Sequence, residues 1–218
     1  SLVPLETTEN LSEIMGVSLK NVVLKIKNNQ TGKIVFEEMG EMLFTHFGLS
    51  GPLVLSASCH MAKMEKGKYS AIIDFKPALD IKTLDTRILS DFSKQLNRDF
   101  QNSLGGLLPS KIIPFMVRKS GIKGDCKVNN ITKEQRNSLI NTLKALTLEI
   151  KGFRPIKEAI VTQGGVSVNE INPSTMESKI VKGLYFAGEV IDVDAYTGGY
   201  NLQIAFATGS LAGTNSAW

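Results

Sequence analysis

Cysteine, histidine and tryptophan are scarce here: two, two and one in 218 residues. Cys59 and Cys126 stand far apart and neither sits in a C-x-x-C, which argues against a disulfide framework and makes a reducing, cytoplasmic setting the default. Together with His46 and His60 they match no zinc-ligand spacing, so no metal site is expected. No apolar run approaches the length of a membrane span and no signal-peptide pattern is visible, so no membrane association is expected. An excess of one charge is also missing. The 25 Lys and Arg against 21 Asp and Glu leave +4, too slight to imply nucleic acid as a partner. The densest basic patch, KIKNNQTGK, reads better as a hairpin than as a phosphate track, and aromatics do not alternate with basic residues as in a single-strand groove. Finally, no G-x-G-x-x-G occurs anywhere, which removes the usual dinucleotide-binding loop.

What is present is ordinary for a globular protein: 42% apolar and 21% charged residues. Residues Val22 to Ile26 alternate apolar and polar, NNQTGK supplies turn residues, and KIVFEE resumes the alternation, which predicts a hairpin. GEMLFTHFGLSGP then reads as a strand and loop, with Pro52 starting a short helix, LVLSASCHM. KGKYSAIIDFKP reads as another strand, closed by Pro77. This β-rich third predicts a small barrel or sandwich. After Asp80, TLDTRILSDFSKQLNRDF, LPSKIIPFMVRKSG and ITKEQRNSLINTLKALT carry apolar residues three or four apart, as three helices do. Thr132 and Gln135 form a capping box for the third. Strand character returns in LTLEIKGFRPIKEAIVTQGGVSV and again in GLYFAGE. The opening at Ser1, directly in the apolar SLVPLETT, reads as a boundary rather than a natural start.

Three places carry candidate chemistry. GLSGP at Gly48 to Pro52 resembles a nucleophile elbow, and His46 and Asp74 could complete a Ser50-based triad. The fifth residue is Pro rather than Gly, however, and the His precedes the Ser by only four residues, so a loop that starts a helix is the better reading. Glu189, Asp192 and Asp194 form an acidic run without an EF-type ligand pattern; a carboxylate there suits hydrogen bonds from sugar or polyol hydroxyls. The turn Thr197-Gly198-Gly199-Tyr200-Asn201 is the sharpest signal. Its glycines allow close backbone approach, and the helix behind it directs free N–H groups at whatever lies before Gly199. Small residues at Ala205, Gly209 and Ala212 give that helix a smooth face for packing on a sheet. A plain Gly-Gly turn that merely starts a helix fits nearly as well.

The strings V-T-Q-G-G-V, T-M-E-S-K and G-E-V-I-D-V-D…T-G-G-Y-N, with GEMLFTHFGLSGP and the opening LVPL, resemble a bacterial family of NAD(P)/FAD-dependent oxidoreductases that includes aminoacetone-oxidase-like flavoproteins. The resemblance spans essentially the whole chain. It implies an α+β fold: a small β-barrel insert (residues 1–78 and 148–163), a three-helix subdomain (79–147), and the C-terminal strand–helix part of a Rossmann-like FAD domain (164–218). The chain would then be the C-terminal fragment of an FAD enzyme, with the N-terminal FAD-binding half as its missing partner.

The resemblance also implies site residues. The segment Leu184 to Ala187 would add a strand to the missing sheet, leaving an exposed edge able to form a dimer. Gly188 and Glu189 would meet FAD. Asp192 would accept hydrogen bonds from its ribityl or phosphate-side groups. Gly198, Gly199, Tyr200 and Asn201 would face the pyrimidine end of the flavin, and Thr162, Gly164 and Gly165 would line the isoalloxazine. No residue is an obvious catalytic acid or base. The substrate would be a small molecule, with NAD(P)H one possible electron donor. The competing reading is a non-catalytic barrel-plus-helix binding module.

Overall fold

The computed structural model describes residues 2–61 and 64–216; Ser1, where the sequence suggested a boundary, lies outside them. The chain divides into two units, Leu5–Phe153 and the pair Ser1–Pro4 with Arg154–Trp218.

The first unit is built on six antiparallel strands: β1 (Leu5–Thr7), β2 (Ser18–Asn28), β3 (Ile34–Phe44), β4 (Gly48–Ser50), β5 (Tyr69–Asp74) and β6 (Leu146–Phe153). They close a barrel in the order β1-β4-β3-β2-β5-β6, so the barrel of the two sequence alternatives is the one formed. Period-2 side-chain alternation decides what fills it. Leu24 and Ile26 of β2, Ala71 and Ile73 of β5, and Leu148 and Ile150 of β6 are fully buried. Their neighbours along the strands, such as Lys25, Thr147 and Lys151, stay in partial or full contact with water.

The β2–β3 hairpin turns where the sequence predicted. Asn28 Oδ1 accepts from the N–H groups of Gln30 (2.9 Å) and Thr31 (3.1 Å), an Asx arrangement that fixes the turn. GLSGP forms β4 and then helix α1 (Pro52–Ser58), with Pro52 in its first turn. No triad assembles there. Asp74 is ion-paired to Lys144 (2.6 Å), and His46 packs edge-on against Phe47 with ring centroids 5.0 Å apart.

Between β5 and β6 lie α2 (Ile81–Ser93), α3 (Phe100–Ser103), α4 (Ile113–Ser120) and α5 (Lys133–Lys144). The capping box of α5 is formed: Gln135 N–H donates to Thr132 Oγ1 (3.2 Å), and Thr132 N–H donates to the Gln135 side chain (2.9 Å). The first predicted helix, however, does not run through to Phe100. It stops at Ser93 because the next segment commits its backbone elsewhere. Asn129 N–H donates to Leu96 O (3.1 Å), Val128 N–H to Arg98 O (3.0 Å), and Phe100 N–H to Cys126 O (2.8 Å). A continuous helix through this segment would need the Leu96 and Arg98 carbonyls and the Phe100 N–H for its own ladder.

Two predicted strands are also corrected. The one beginning at Leu146 ends at Phe153, just before Pro155, rather than running to Val168. GLYFAGE is not a strand: among the described residues its one bridge is Glu177 with Tyr185, and Leu184 is 42% exposed. A segment paired on one side over so short a stretch has too few neighbours for a sheet. The second unit therefore shows no Rossmann-like sheet among its described residues. It consists of short 3-10 turns, isolated bridges and one long helix, α6 (Tyr200–Ser216), around a small core of Ile171, Met176, Ile191 and Ala212.

Leu148→Ala should lower stability by about 2–5 kcal/mol, the usual result of opening a cavity in a closed core. Thr147→Ala, one residue away on the outer face, should stay within about 0.5 kcal/mol. Urea denaturation followed by circular dichroism separates the two.

Candidate functional site

The second unit brings most of the sequence-predicted residues into two adjoining groups. The first is a clasp between residues 162–166 and 188–192. The Glu189 carboxylate accepts from both the backbone N–H (2.7 Å) and the hydroxyl (2.9 Å) of Thr162. Gly164 N–H donates to Asp192 Oδ1 (3.0 Å). Two backbone bonds complete the clasp, Val166 N–H to Val190 O (2.8 Å) and Asp192 N–H to Val166 O (2.9 Å), around a parallel bridge between Val166 and Ile191. Gly165 lies where these segments touch. Its φ is 148°, and a Cβ there would overlap the Val190 carbonyl oxygen, so the close approach depends on glycine.

The Thr162 amide, and after it the Thr162 hydroxyl, holds the Glu189 carboxyl below the ordinary glutamate value. Thus two of the acidic residues that look like a solvated run in the sequence are tied to backbone N–H groups 27 and 28 positions earlier.

The second group is the start of α6. Gly198 and Gly199 have φ of 118° and 91°, and Gln203 N–H donates to Gly199 O (3.0 Å), opening the helix. Asn201 turns back on the preceding loop. Its Oδ1 accepts from Ala195 N–H (2.9 Å) and its Nδ2 donates to Ala195 O (2.7 Å). Asn201 therefore holds the 195–200 loop in place with both ends of its amide. Tyr200 is 62% exposed. Gly188 joins the two groups: its N–H donates to Thr208 Oγ1 (3.0 Å), whose own proton goes to Ile204 O (2.7 Å) within α6.

Between the groups lies a cleft of about 400 Å³. Gly188, Glu189, Gly198, Gly199 and Asn201 line it, together with apolar side chains including Val161, Val193 and Ile204. Thr162, Gly164, Gly165, Asp192 and Tyr200 do not line it; the first four build the clasp that forms one wall. Sequence reading missed Val161, Val193 and Ile204 as lining residues and Thr208 as the tie to Gly188; Thr197, which opens the glycine turn it singled out, also lines the cleft. The i, i+4, i+7 spacing of Ile204, Thr208 and Leu211 was the available signal. The face of α6 turned to its own unit carries Ile204, Ala205, Thr208, Leu211 and Ala212, whereas Gly209, expected on that face, is exposed. Among the described residues, no group of three or more His, Cys, Asp or Glu is placed to hold a metal ion. No helix there is long and apolar enough to cross a membrane.

The arrangement can do three things: offer backbone N–H groups at a helix start, present one ionised carboxylate, and wall both with apolar surface.

The chain belongs to the HI0933-like family, whose barrel and H2TH domain matches residues 1–161. It is similar to the 3-dehydro-bile acid delta(4,6)-reductase of Clostridium scindens, 35% identical over 187 residues, which is 85% of this chain and 46% of that protein. It is also similar to the ribosomal RNA dihydrouridine synthases of Escherichia coli (33% identical over 200 residues; 92% of this chain, 46% of the relative) and Haemophilus influenzae (33% over 211; 95% and 49%). The chain thus spans about half the length of these relatives.

Two outcomes check the clasp. A titration of the Thr162 amide by NMR should show a midpoint below the ordinary glutamate value. Because the folded state depresses the Glu189 pKa, its stabilising contribution is present above the unfolded pKa and fades as pH falls through the folded one. In Thr162→Val the midpoint should move only part of the way up, since the backbone N–H, the larger cause, remains. Separately, Gly165→Ala should abolish hydrogen-exchange protection at Val166 and Asp192 while leaving β2 and β5 protected.

Proposed function

We propose that this chain supplies the substrate-side and flavin-ring-side parts of an FAD-dependent reductase, whose nucleotide-binding half lies on a further stretch of polypeptide. The observation that carries the reading is the cleft between the Thr162–Glu189 clasp and the Gly198–Gly199 helix start. Its size, its glycine-lined entrance and its apolar walls suit a flat ring system rather than a whole dinucleotide.

Bound there, FAD would supply the hydride or electron transfer, which no side chain of this chain provides. The chain's own part is positioning and electrostatics. The first N–H groups of α6 lack intrahelical partners and favour negative charge in front of them. The Glu189 carboxylate, already satisfied by Thr162, sets one edge of the cleft. Asn201 keeps the glycine turn from relaxing, and Val161, Val193 and Ile204 keep water away from one side of the ring.

Two further features support a partner half. The sequence contains no G-x-G-x-x-G. In addition, α6 carries no charged residue, yet of its side chains only Ala212 is buried, with Leu202 63% and Phe206 71% exposed. An uncharged helix with large apolar side chains left exposed is one that a complete fold covers.

The relatives' names suggest the reaction class. Both describe saturation of a carbon–carbon double bond, in a 3-dehydro-bile acid in one case and in a uridine of ribosomal RNA in the other. We extend that class, hydride delivery to an activated double bond, to this chain, with a small molecule or a single base as the reacting unit and NAD(P)H as a candidate donor.

Flavin fluorescence tests the reading. The chain alone should quench FAD weakly, and adding a separately produced nucleotide-binding half from the Clostridium scindens relative should make quenching stoichiometric. Gly188→Val, which places a branched side chain against Ala205, should weaken the complemented binding. Stoichiometric FAD binding by the chain alone, or no gain on complementation, would favour the independent binding module instead.

A further inference from the structure

The net charge of +4 is the sum of unequal parts. Residues 94–136 hold nine Lys or Arg against three Asp or Glu, and the rest of the chain is slightly acidic, with sixteen against eighteen. Within this basic stretch, Arg118, Lys119 and Arg136 are paired with Glu13, Glu9 and Asp85, and Lys127 with Asp99. Lys94, Arg98, Lys123 and Lys133 are exposed, and among the described residues no carboxylate pairs with them.

The fold gathers most of these charges. The α2–α3 connection and the α4–α5 connection zip together by backbone hydrogen bonds, Leu96 to Asn129, Arg98 to Val128, Phe100 to Cys126 and Gln101 to Gly124. That ladder sets Lys94 and Arg98 on one strand of a ridge and Lys123 and Lys127 on the other, with Lys133 a few residues beyond at the start of α5. Between them, Asn97, Gln101, Asn102, Asn129 and Asn130 are all exposed. The two aromatics of the stretch, Phe100 and Phe115, are buried.

We infer that this ridge docks the sugar–phosphate backbone of helical RNA. Basic side chains at the tips of two joined loops, of which Lys94, Arg98, Lys123 and Lys133 have no carboxylate partner among the described residues and outnumber the neighbouring Asp99 and Asp125, supply phosphate contacts, and the interleaved amides supply neutral donors and acceptors for phosphate oxygens and 2′-hydroxyls. The absence of an exposed aromatic argues against unstacked single-strand bases, which proteins hold by stacking. A membrane surface fits less well, since Leu96 is the one large apolar side chain exposed among the described residues of the stretch. The ridge lies wholly within the barrel-and-helix unit. It rests on the reductase reading only for its purpose, which is to bring a base of a folded RNA to the enzyme.

The test needs no flavin, so its failure would leave the reductase reading standing. Binding of the full chain to a fluorescent RNA hairpin of roughly 20 base pairs is followed by anisotropy across a salt series. The same measurement is made with a DNA hairpin of the same sequence, an oligouridylate of equal length and vesicles containing anionic lipid. The RNA hairpin should bind best, with affinity falling steeply with salt. The triple variant K94Q/R98Q/K123Q should weaken binding by at least ~10-fold and flatten the salt slope by roughly 2–3. K27Q/K33Q, at the β2–β3 turn, should leave both unchanged. Circular dichroism confirms that both variants fold. No binding to the RNA hairpin, equal binding to DNA or vesicles, tighter binding to the oligouridylate, or equal losses in the two variants would each overturn the inference.

Discussion

Barrel closure hangs on one close approach of backbone to backbone. At Gly48 the short strand β4 lies so near β1 that a Cβ would overlap the Leu5 carbonyl oxygen, with φ at 154°. Any side chain there would push β4 away from β1. The strand order would then open between them, and the buried row from Leu5 to Ile150 would lose its continuous wall. The helical subdomain depends on the same closure, because α2 to α5 are strung between β5 and β6 and Lys144 is held at their junction. Its ammonium pairs with Asp74 and donates to the carbonyls of Lys76 and Leu79 (2.9 and 2.8 Å).

What could be read from the sequence was whatever local chemistry decides. The Asn28–Gly32 turn, the Thr132–Gln135 box and the proline start of α1 each depend on residues within five positions of one another, and all three formed as read. The failures share one cause. Residues 94–99 carry a helical pattern but bond to residues 126–129, and nothing in the local spacing announces that partner. GLYFAGE has strand composition, yet a strand is defined by neighbours rather than by composition. The choice between barrel and sandwich likewise lay in which strand ends meet.

The site follows the same rule. The glycine turn before α6 was visible because its conformation is local. The ties of Thr162 to Glu189 and of Gly164 to Asp192 cross nearly thirty residues, and the family strings that contain these residues do not indicate that they bind one another. Asn201 is the instructive case: it lines the cleft and also holds the preceding loop through Ala195, a tie that nothing in the sequence announced. The charges show the converse limit. The sum over the whole chain is +4, while residues 94–136 alone hold nine Lys or Arg against three Asp or Glu.

Leu5 and Phe153, the first and last residues of the barrel-and-helix unit, are partners on a single rung of the β1–β6 ladder, and just outside it Arg154 N–H donates to Pro4 O (3.0 Å). The unit therefore leaves and re-enters the chain at one point, as a side branch leaves a stem. A hundred and more residues hang from a gap that a two-residue turn could bridge. Such a branch can be lengthened, shortened or exchanged during evolution without displacing the backbone on either side of it. Relatives sharing one stem could in this way come to differ in the branch alone.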